Sequence, residues 1–234
     1  MSAAATTGSE TLRVLTWNVH GLHAGVDAVG DVLREARCDV ALLQEAPRGL
    51  RAVPRAAALA RRSGLLVAAA GRPAAGALVL VAARLHVHAA AVEALPVIGL
   101  TTPVRGSARA LVSAPGGRRV LVLAAHLGLG QDERADHVRR LAGGLEDAPV
   151  PVVVGADLNE HPDGPSWPGL LPGGQDAWTA TGAGDGPTFP AHRPRARIDG
   201  LLVRGLEVAS VEVLEGARAS DHRPLRAELV LPRA

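Results

Sequence analysis

The sequence predicts an α/β sandwich, with mixed β-sheets inside and helices outside. Three observations predict it. Short apolar runs alternate with helix-period patterns early in the chain. Strand-like runs dominate late. No repeat and no clear linker breaks the 234 residues, a length that permits one domain with a sizeable core. Residues 1–10 are expected to form a disordered tail and 11–234 a single domain.

Leu12 to Val19 (LRVLTWNV) reads as a buried strand. GVDAVGDVLREARC follows with helical spacing at Val26, Val29, Leu33 and Ala36. DVALLQE is a second strand, ending in two polar side chains. RGLRAVPRAAALARRSG predicts a helix, with Pro54 close enough to its start to be tolerated. GLLVAAA, GALVLVAA and LHVHAAAVEAL read as three successive strands. SARALVSAPGGRRVLVLAAHL reads as two strands joined at Pro115-Gly116-Gly117, a hairpin signal. QDERADHVRRLAGGL predicts an amphipathic helix with Ala135, Val138 and Leu141 on one side. VPVVVGADLNEHPDG is a strand that runs into a polar loop. The Gly/Pro-rich stretch from Asn159 to about Pro194 is too long for a simple connection, and such loops are usually functional or partly ordered. RIDGLLV, EVASVEVLE and LRAELVL are three further strands.

Hydrophobic residues make up 47% of the chain and charged residues 21%, ordinary for a soluble globular protein. The single cysteine, Cys38, excludes an intrachain disulfide and suits a reducing compartment. The start, MSAAATTGSE, does not read as a signal peptide. AGALVLVAA is too short, and too soon followed by Arg84, to span a bilayer. A cytoplasmic, monomeric protein is expected. The pI of 9.8 is weak support for nucleic-acid binding. All 25 basic residues are Arg, the net charge is only +2, and arginine's high intrinsic pKa lifts the isoelectric point.

The same bias sharpens the reading of scarce residues. The chain has two Asn, two Ile, one Phe and no Tyr. Asn18, Asn159, Phe189 and Ile198 all fall in segments that carry polar groups at strand ends. Asn18 ends the first strand, and Gln44 and Glu45 end the second. His126 ends VLVLAAH, while Asp157 and Asn159 follow VPVVVG. Asp199 sits in RIDGLLV, and Asp221-His222 precedes the last strand. Taken singly, each has an ordinary explanation as a turn former, a solvated charge or a satisfied core histidine. Their joint recurrence is what those explanations handle poorly. Strand rims that meet would gather carboxylates, amides and imidazoles. Crowded carboxylates repel one another, and a divalent cation relieves that repulsion. Oxygen ligands without thiols favour Mg²⁺ or Mn²⁺.

The order of these segments resembles the endonuclease/exonuclease/phosphatase superfamily, the DNase I-like fold. The matching segments are TWNVHG, LLQE, AAHLG, GADLNEHP, PTFPAHRPRARIDGLLV and ASDHRPL, spread over nearly the whole chain. The resemblance implies a four-layer α/β sandwich of two mixed sheets flanked by helices, with a metal-dependent phosphoesterase site at one end. It implies Glu45 as the main Mg²⁺ ligand, with Asn18 on the metal side and Asp221 beside the metal. Asp157 would hold or activate the attacking water, and Asn159 would orient it or a phosphate oxygen. Asp199 would hold His222 in its working tautomer, and His126 would donate to a phosphate oxygen. Which of Asp157 and His222 takes the proton stays open.

The chain also departs from the family pattern. Gly200 stands where many members carry Tyr, Ile or Val, so a wall of the pocket is expected to be missing. The lack of any Tyr removes the phosphate-contacting tyrosine of abasic-site nucleases. Gly-Ala-Asp replaces the usual Gly-Asp, with Asp157 and Asn159 still correctly spaced.

Hydrolysis of a phosphoester needs a positioned water and stabilised oxygen charge, which a cation and a carboxylate-backed imidazole supply. Arg193, Arg195 and Arg197 are candidates for a phosphate-binding rim. The expected substrate is a phosphate ester: nucleic acid, phospholipid head group or small phosphodiester. Few aromatics are available for stacking, which disfavours a single-strand groove. A non-catalytic binding module that kept this fold is the alternative. Ser166 lies in no nucleophile elbow, GLGQDE lacks a dinucleotide fingerprint, and His86 and His88 have no neighbours to complete a zinc site.

Overall fold

The computed structural model describes residues 10–99, 102–182 and 184–232. In chain order the elements are β1 (Thr11–Asn18), α1 (Val26–Ala36), β2 (Val40–Gln44), α2 (Ala52–Ser63), β3 (Leu65–Ala69), β4 (Leu78–Ala82), β5 (His86–Ala94) and β6 (Gly106–Ser113). There follow β7 (Arg119–His126), α3 (Gln131–Gly143), β8 (Val152–Asp157), α4 (Ser166–Leu170), β9 (Gln175–Asp176), α5 (Ala177–Thr181), β10 (Asp199–Arg204), β11 (Glu207–Val213) and β12 (Leu225–Val230). One six-stranded sheet has the order β11-β12-β1-β2-β4-β3, the other β5-β6-β7-β8-β10-β9.

Side-chain alternation explains the layers. In β2, Val40 and Leu42 join the core between the sheets, whereas Ala41 and Leu43 join a core beneath α1 and α2. In β7, Val120, Val122 and Ala124 face the other sheet, while Leu123 and Ala125 pack toward α3 and α4. The central strands are buried on both faces, so they read as unbroken apolar runs. The result is the expected four-layer sandwich of helices, sheet, sheet and helices.

The sheets approach closely at Gly155. A Cβ there would lie 2.8 Å from Leu42 Cβ and 2.9 Å from Thr16 Cβ. The buried Gln44 amide crosses this gap, its Nε2 donating to the Gly155 carbonyl at 3.1 Å. Gly155 is thus where two backbones meet, and Ala156 takes the outward position.

Strand direction decides where polar ends collect. β1 and β2 run parallel, as do β7 and β8. β10 runs antiparallel to β8 with Asp199 opposite Asp157. The C-terminal ends of β1, β2, β7 and β8 therefore share one end of the sandwich with the start of β10.

Two local expectations change. In α3 the inward residues are Glu133, His137 and Leu141, with Ala135 exposed and Val138 half-buried. The inner stripe admits polar groups because His137 is satisfied on both ring nitrogens. The stretch after Asn159, too long for a simple connection, carries α4, β9 and α5. Of the expected tail, residues 1–9 lie outside the described residues, whereas the Glu10 carbonyl accepts the Leu231 N–H at 2.9 Å. Among the described residues no helix is long and apolar enough to cross a membrane.

Candidate active site

Asn18, at the end of β1, links the two sheets. Its Nδ2 donates to Asp157 Oδ2 at 2.9 Å and to Glu45 Oε1 at 3.2 Å. Its Oδ1 accepts the His20 N–H at 3.0 Å, which fixes the amide so that its donors face the carboxylates. Glu45 follows β2 with a left-handed φ of 54°. A non-glycine residue held there is strained, and such strain persists where the side chain is needed.

Asp157 is fully buried at the end of β8. Burial pushes its carboxyl above the ordinary range, and Asp199 adds to the effect. Its Oδ1 accepts the Asn159 N–H at 3.1 Å, and His126 Nε2 lies 3.3 Å from Oδ2. Asn159, also left-handed at φ 51°, donates to the Leu127 carbonyl and places Nδ2 3.1 Å from His126 Nε2.

Arg105 settles the His126 tautomer. Its Nη1 lies 3.1 Å from His126 Nδ1, and a guanidinium can only donate. Nδ1 therefore accepts, and the ring proton sits on Nε2, facing Asp157 Oδ2. The approach of Asn159 Nδ2 to Nε2 is then a contact between two donors and not a hydrogen bond, and Asn159 Nδ2 donates to the Leu127 carbonyl instead. Burial and then the Arg105 charge push His126 down to about 4, against the pull of Asp157, so the ring is neutral. It is a buried N–H donor at the floor of the cleft.

His222 is built the other way round. Its Nδ1 lies 2.8 Å from Asp199 Oδ2, so Nδ1 carries a proton and Nε2 faces Asp157 Oδ2 across 3.9 Å. Burial pulls the imidazole down, but Asp199, by charge and hydrogen bond, joins Asp157 and Asp221 to lift it to about 9. The Phe189 ring packs 4.7 Å from the imidazole, and Trp17 Nε1 donates to the His222 carbonyl at 2.8 Å. Ser220 ties this loop to β1, its hydroxyl 2.6 Å from the Asn18 carbonyl. Asp221 is more open, with Oδ1 3.5 Å from His20 Nδ1.

The structure thus brings together Asn18, Glu45, His126, Asp157, Asn159, Asp199 and His222, with Asp221 at the mouth. Arg193 and Arg195 are exposed on the loop before β10. Arg195 borders an open depression of about 610 Å³ with His161 and Asp185. Arg197 lines the same depression but is held differently. It is buried, pairs with Asp176 Oδ2 at 2.6 Å and lies over the Trp167 ring at 4.7 Å. Its charge is committed to holding the loop.

The expected missing wall at Gly200 is also corrected. A Cβ there would lie 2.6 Å from Trp167 Cζ3 and 3.1 Å from Leu158 Cδ1. The indole fills the space that a larger residue would take. Cys38 is buried and its thiol is pushed up to about 12 by burial, so it is no nucleophile.

Arg105 is the site residue that sequence reasoning missed. The available signal was an arginine leading directly into the apolar strand SARALVS.

Asp157, Asp199 and His222 offer ligand atoms within 4.8 Å of one another. Within that trio Asp199 Oδ2 and His222 Nδ1 are bonded directly to each other at 2.8 Å, so these two atoms are not free to hold a cation. The better oxygen donors for a hard cation are Glu45, half-open to solvent, with Asp157 and Asn18 behind it and Asp221 nearby.

Comparison with known proteins agrees with this geometry. A family protein from Bacteroides thetaiotaomicron superposes with a TM-score of 0.81 at 15% identity, covering 97% of this chain and 100% of that one. A mannosyl-6-phosphatase from the same organism gives 0.78 at 15% identity, covering 94% and 100%. Danio rerio TDP2 complexed with single-strand DNA product gives 0.75 at 19%, covering 94% and 99%. No curated protein matches the chain. The family model for endonuclease/exonuclease/phosphatase proteins matches residues 15–222, from the middle of β1 to the imidazole at the cleft. With every polar strand end, and every strand but β12 and the start of β1, inside that span, the chain belongs to the endonuclease/exonuclease/phosphatase family.

Proposed function

We propose that this cleft hydrolyses a phosphate ester with the help of Mg²⁺ or Mn²⁺. The observation that carries the reading is the Asp199–His222 pair aimed at Asp157 beside the Glu45 carboxylate. The donor set fits a hard cation: Glu45, Asp157 and Asp221 offer carboxylate oxygens, and no thiol is near. When bound there, such a cation supplies Lewis acidity and lowers the pKa of water.

The residues divide the remaining work. The 3.9 Å between Asp157 Oδ2 and His222 Nε2 is too long for a hydrogen bond. An attacking oxygen at about 2.8 Å from each atom fits that gap and can give up its proton there. Asp199 holds the His222 tautomer. Asn159 orients the oxygen, and neutral His126 donates its Nε2 proton to a phosphate oxygen, with Arg105 behind it as fixed positive charge. Every group comes from one chain, so a monomer suffices. The phosphatase and the DNA-bound protein among the structural neighbours support phosphoester chemistry as the class.

The test is hydrolysis of bis-p-nitrophenyl phosphate with Mg²⁺ or Mn²⁺, with and without chelator. Metal-dependent turnover that falls with His222→Ala supports the assignment. Absence of turnover with either metal would favour a binding module that kept the fold.

A further inference from the structure

Among the described residues, eight large apolar side chains are exposed, and six stand on segments at the catalytic end. Leu50 and Val53 follow β2, Val97, Ile98 and Val104 lie between β5 and β6, and Leu129 follows β7. The other two, Leu66 and Val67, lie on the edge strand β3. Singly exposed leucines are ordinary, but six gathered on one rim are not.

Polar contacts join these segments into one arc. Arg48 Nη1 donates to the Val104 carbonyl at 3.1 Å, tying the loop after β2 to the loop before β6. His137 joins that second loop to the one after β7, through the Pro96 carbonyl at 2.7 Å and the Gly128 N–H at 3.2 Å. The inner side of the arc is the cleft itself. Glu45 adjoins Arg48, Arg105 reaches His126 from beside Val104, and the Leu127 carbonyl holds Asn159. Beside Glu45 an open depression of about 480 Å³ is lined by Arg48, Leu50 and Arg55.

From this arrangement we infer that the protein docks on anionic phospholipid surfaces and takes its phosphate ester from a lipid head group. This rests on the phosphoesterase reading above and narrows it to a substrate class. The arc is aliphatic, which suits the boundary between head groups and acyl chains. Arg48 and Arg55 stand among these side chains, where anionic head groups would meet them. A nucleic acid has no use for a bare Leu/Val rim without aromatic stacking groups. Protein-binding hot spots are richest in Trp and Tyr, and the arc contains neither. A head group drawn into the depression beside Glu45 would bring its phosphorus to the cleft while its chains stay in the membrane.

The test compares wild-type protein with Val53→Ser/Ile98→Ser/Leu129→Ser, whose side chains are exposed and are none of the groups given a part in hydrolysis. The first readout is flotation with phosphatidylcholine vesicles, with and without phosphatidylglycerol. The wild type should float about tenfold more tightly with the phosphatidylglycerol-doped vesicles. The triple variant should lose that binding, and its release of head-group phosphate from vesicles should fall about tenfold, with hydrolysis of bis-p-nitrophenyl phosphate unchanged. A wild type that stays with neither vesicle, or a variant that floats equally well, overturns the inference. So does a dimer that the triple variant dissociates, which would make the arc an interface between copies. Failure on the soluble ester alone would sink the phosphoesterase reading, whereas flotation measures docking independently of turnover.

Discussion

Glu45 and Asn159 hold matching places in the two sheets. Each lies just past the C-terminal end of a parallel strand, and both adopt left-handed backbone, with φ of 54° and 51°. Asparagine tolerates that conformation, because its short side chain bonds locally. Glutamate does not, so position 45 should trade stability for a carboxylate. Glu45→Gly should be more stable than Glu45→Ala by about 1 kcal/mol in urea denaturation of metal-free protein. Both variants should lose at least ~100-fold in metal-dependent hydrolysis. Equal stability of the two would mean that the backbone at 45 is unstrained.

Asp199 is completely buried, and one of its oxygens, Oδ1, has no hydrogen-bond partner among the described residues. The other accepts from His222 Nδ1. A buried carboxylate left half-satisfied is costly, and its use here is to hold the imidazole with Nε2 facing Asp157. Asp199→Asn should therefore lower kcat by roughly 10²–10⁴ with little change in KM. A variant whose loss lies wholly in KM would make Asp199 a substrate-binding group instead.

Arg195 and Arg197 are two residues apart yet should behave oppositely. Arg197→Ala strands Asp176 in a nearly buried site and uncovers the Trp167 face. It should reduce stability by roughly 3 kcal/mol, with turnover of the soluble ester within about threefold of wild type. Arg195→Ala should leave stability unchanged and raise KM for substrates with a second anionic group. Thermal denaturation and steady-state kinetics on the same preparations separate the two.

The sequence showed the layers and most of the cleft because both leave local marks. Buried central strands read as apolar runs, and the polar residue that ends each run stands out. Asp157 was legible for that reason, and Asp199 and His222 were legible because they stand at or just before the start of such a run. What stayed hidden depends on distant chain segments. Arg105 reaches His126 across 21 positions, and its place before an apolar strand marks a strand start but does not name its partner. Arg197 reads like its neighbours Arg193 and Arg195 until Asp176 and Trp167 are placed against it. The inner face of α3 is hard to read because Glu133 and His137 look solvent-bound by type, and the burial of His137 becomes tolerable only through the distant Pro96 carbonyl and the Gly128 N–H.

His137 carries the pH dependence of that buried network. Its Nδ1 accepts the Gly128 N–H and its Nε2 donates to the Pro96 carbonyl, so the neutral ring is fully used. Burial holds its pKa below the ordinary histidine value. The unfolded chain, titrating near 6.5, therefore takes up the proton before the folded one. Its stabilising effect is complete above about pH 6.5 and is lost as pH falls from there toward the depressed folded value. Glutamine can reproduce one acceptor and one donor without titrating. His137→Gln should show a smaller drop in urea midpoint between pH 7 and pH 5 than wild type. An identical drop would assign the acid sensitivity to other groups.

Gly200 and Trp167 test whether the pocket wall has been exchanged rather than lost. Many family members place a large residue after the aspartate, but here a Cβ would press into the indole at 2.6 Å. Trp167 is anchored by its Nε1 bond to the Glu160 carbonyl at 3.1 Å and by Arg197 across its face, so it cannot swing aside cheaply. Gly200→Val alone should destabilise by roughly 1–3 kcal/mol through overpacking. Trp167→Leu alone should also destabilise, by leaving a cavity. The double variant restores volume by the opposite exchange. It should therefore be less destabilised than the sum of the two single variants, by about 1 kcal/mol or more in a double-mutant cycle. Strict additivity would show that the indole does not occupy the place that a side chain at position 200 would fill.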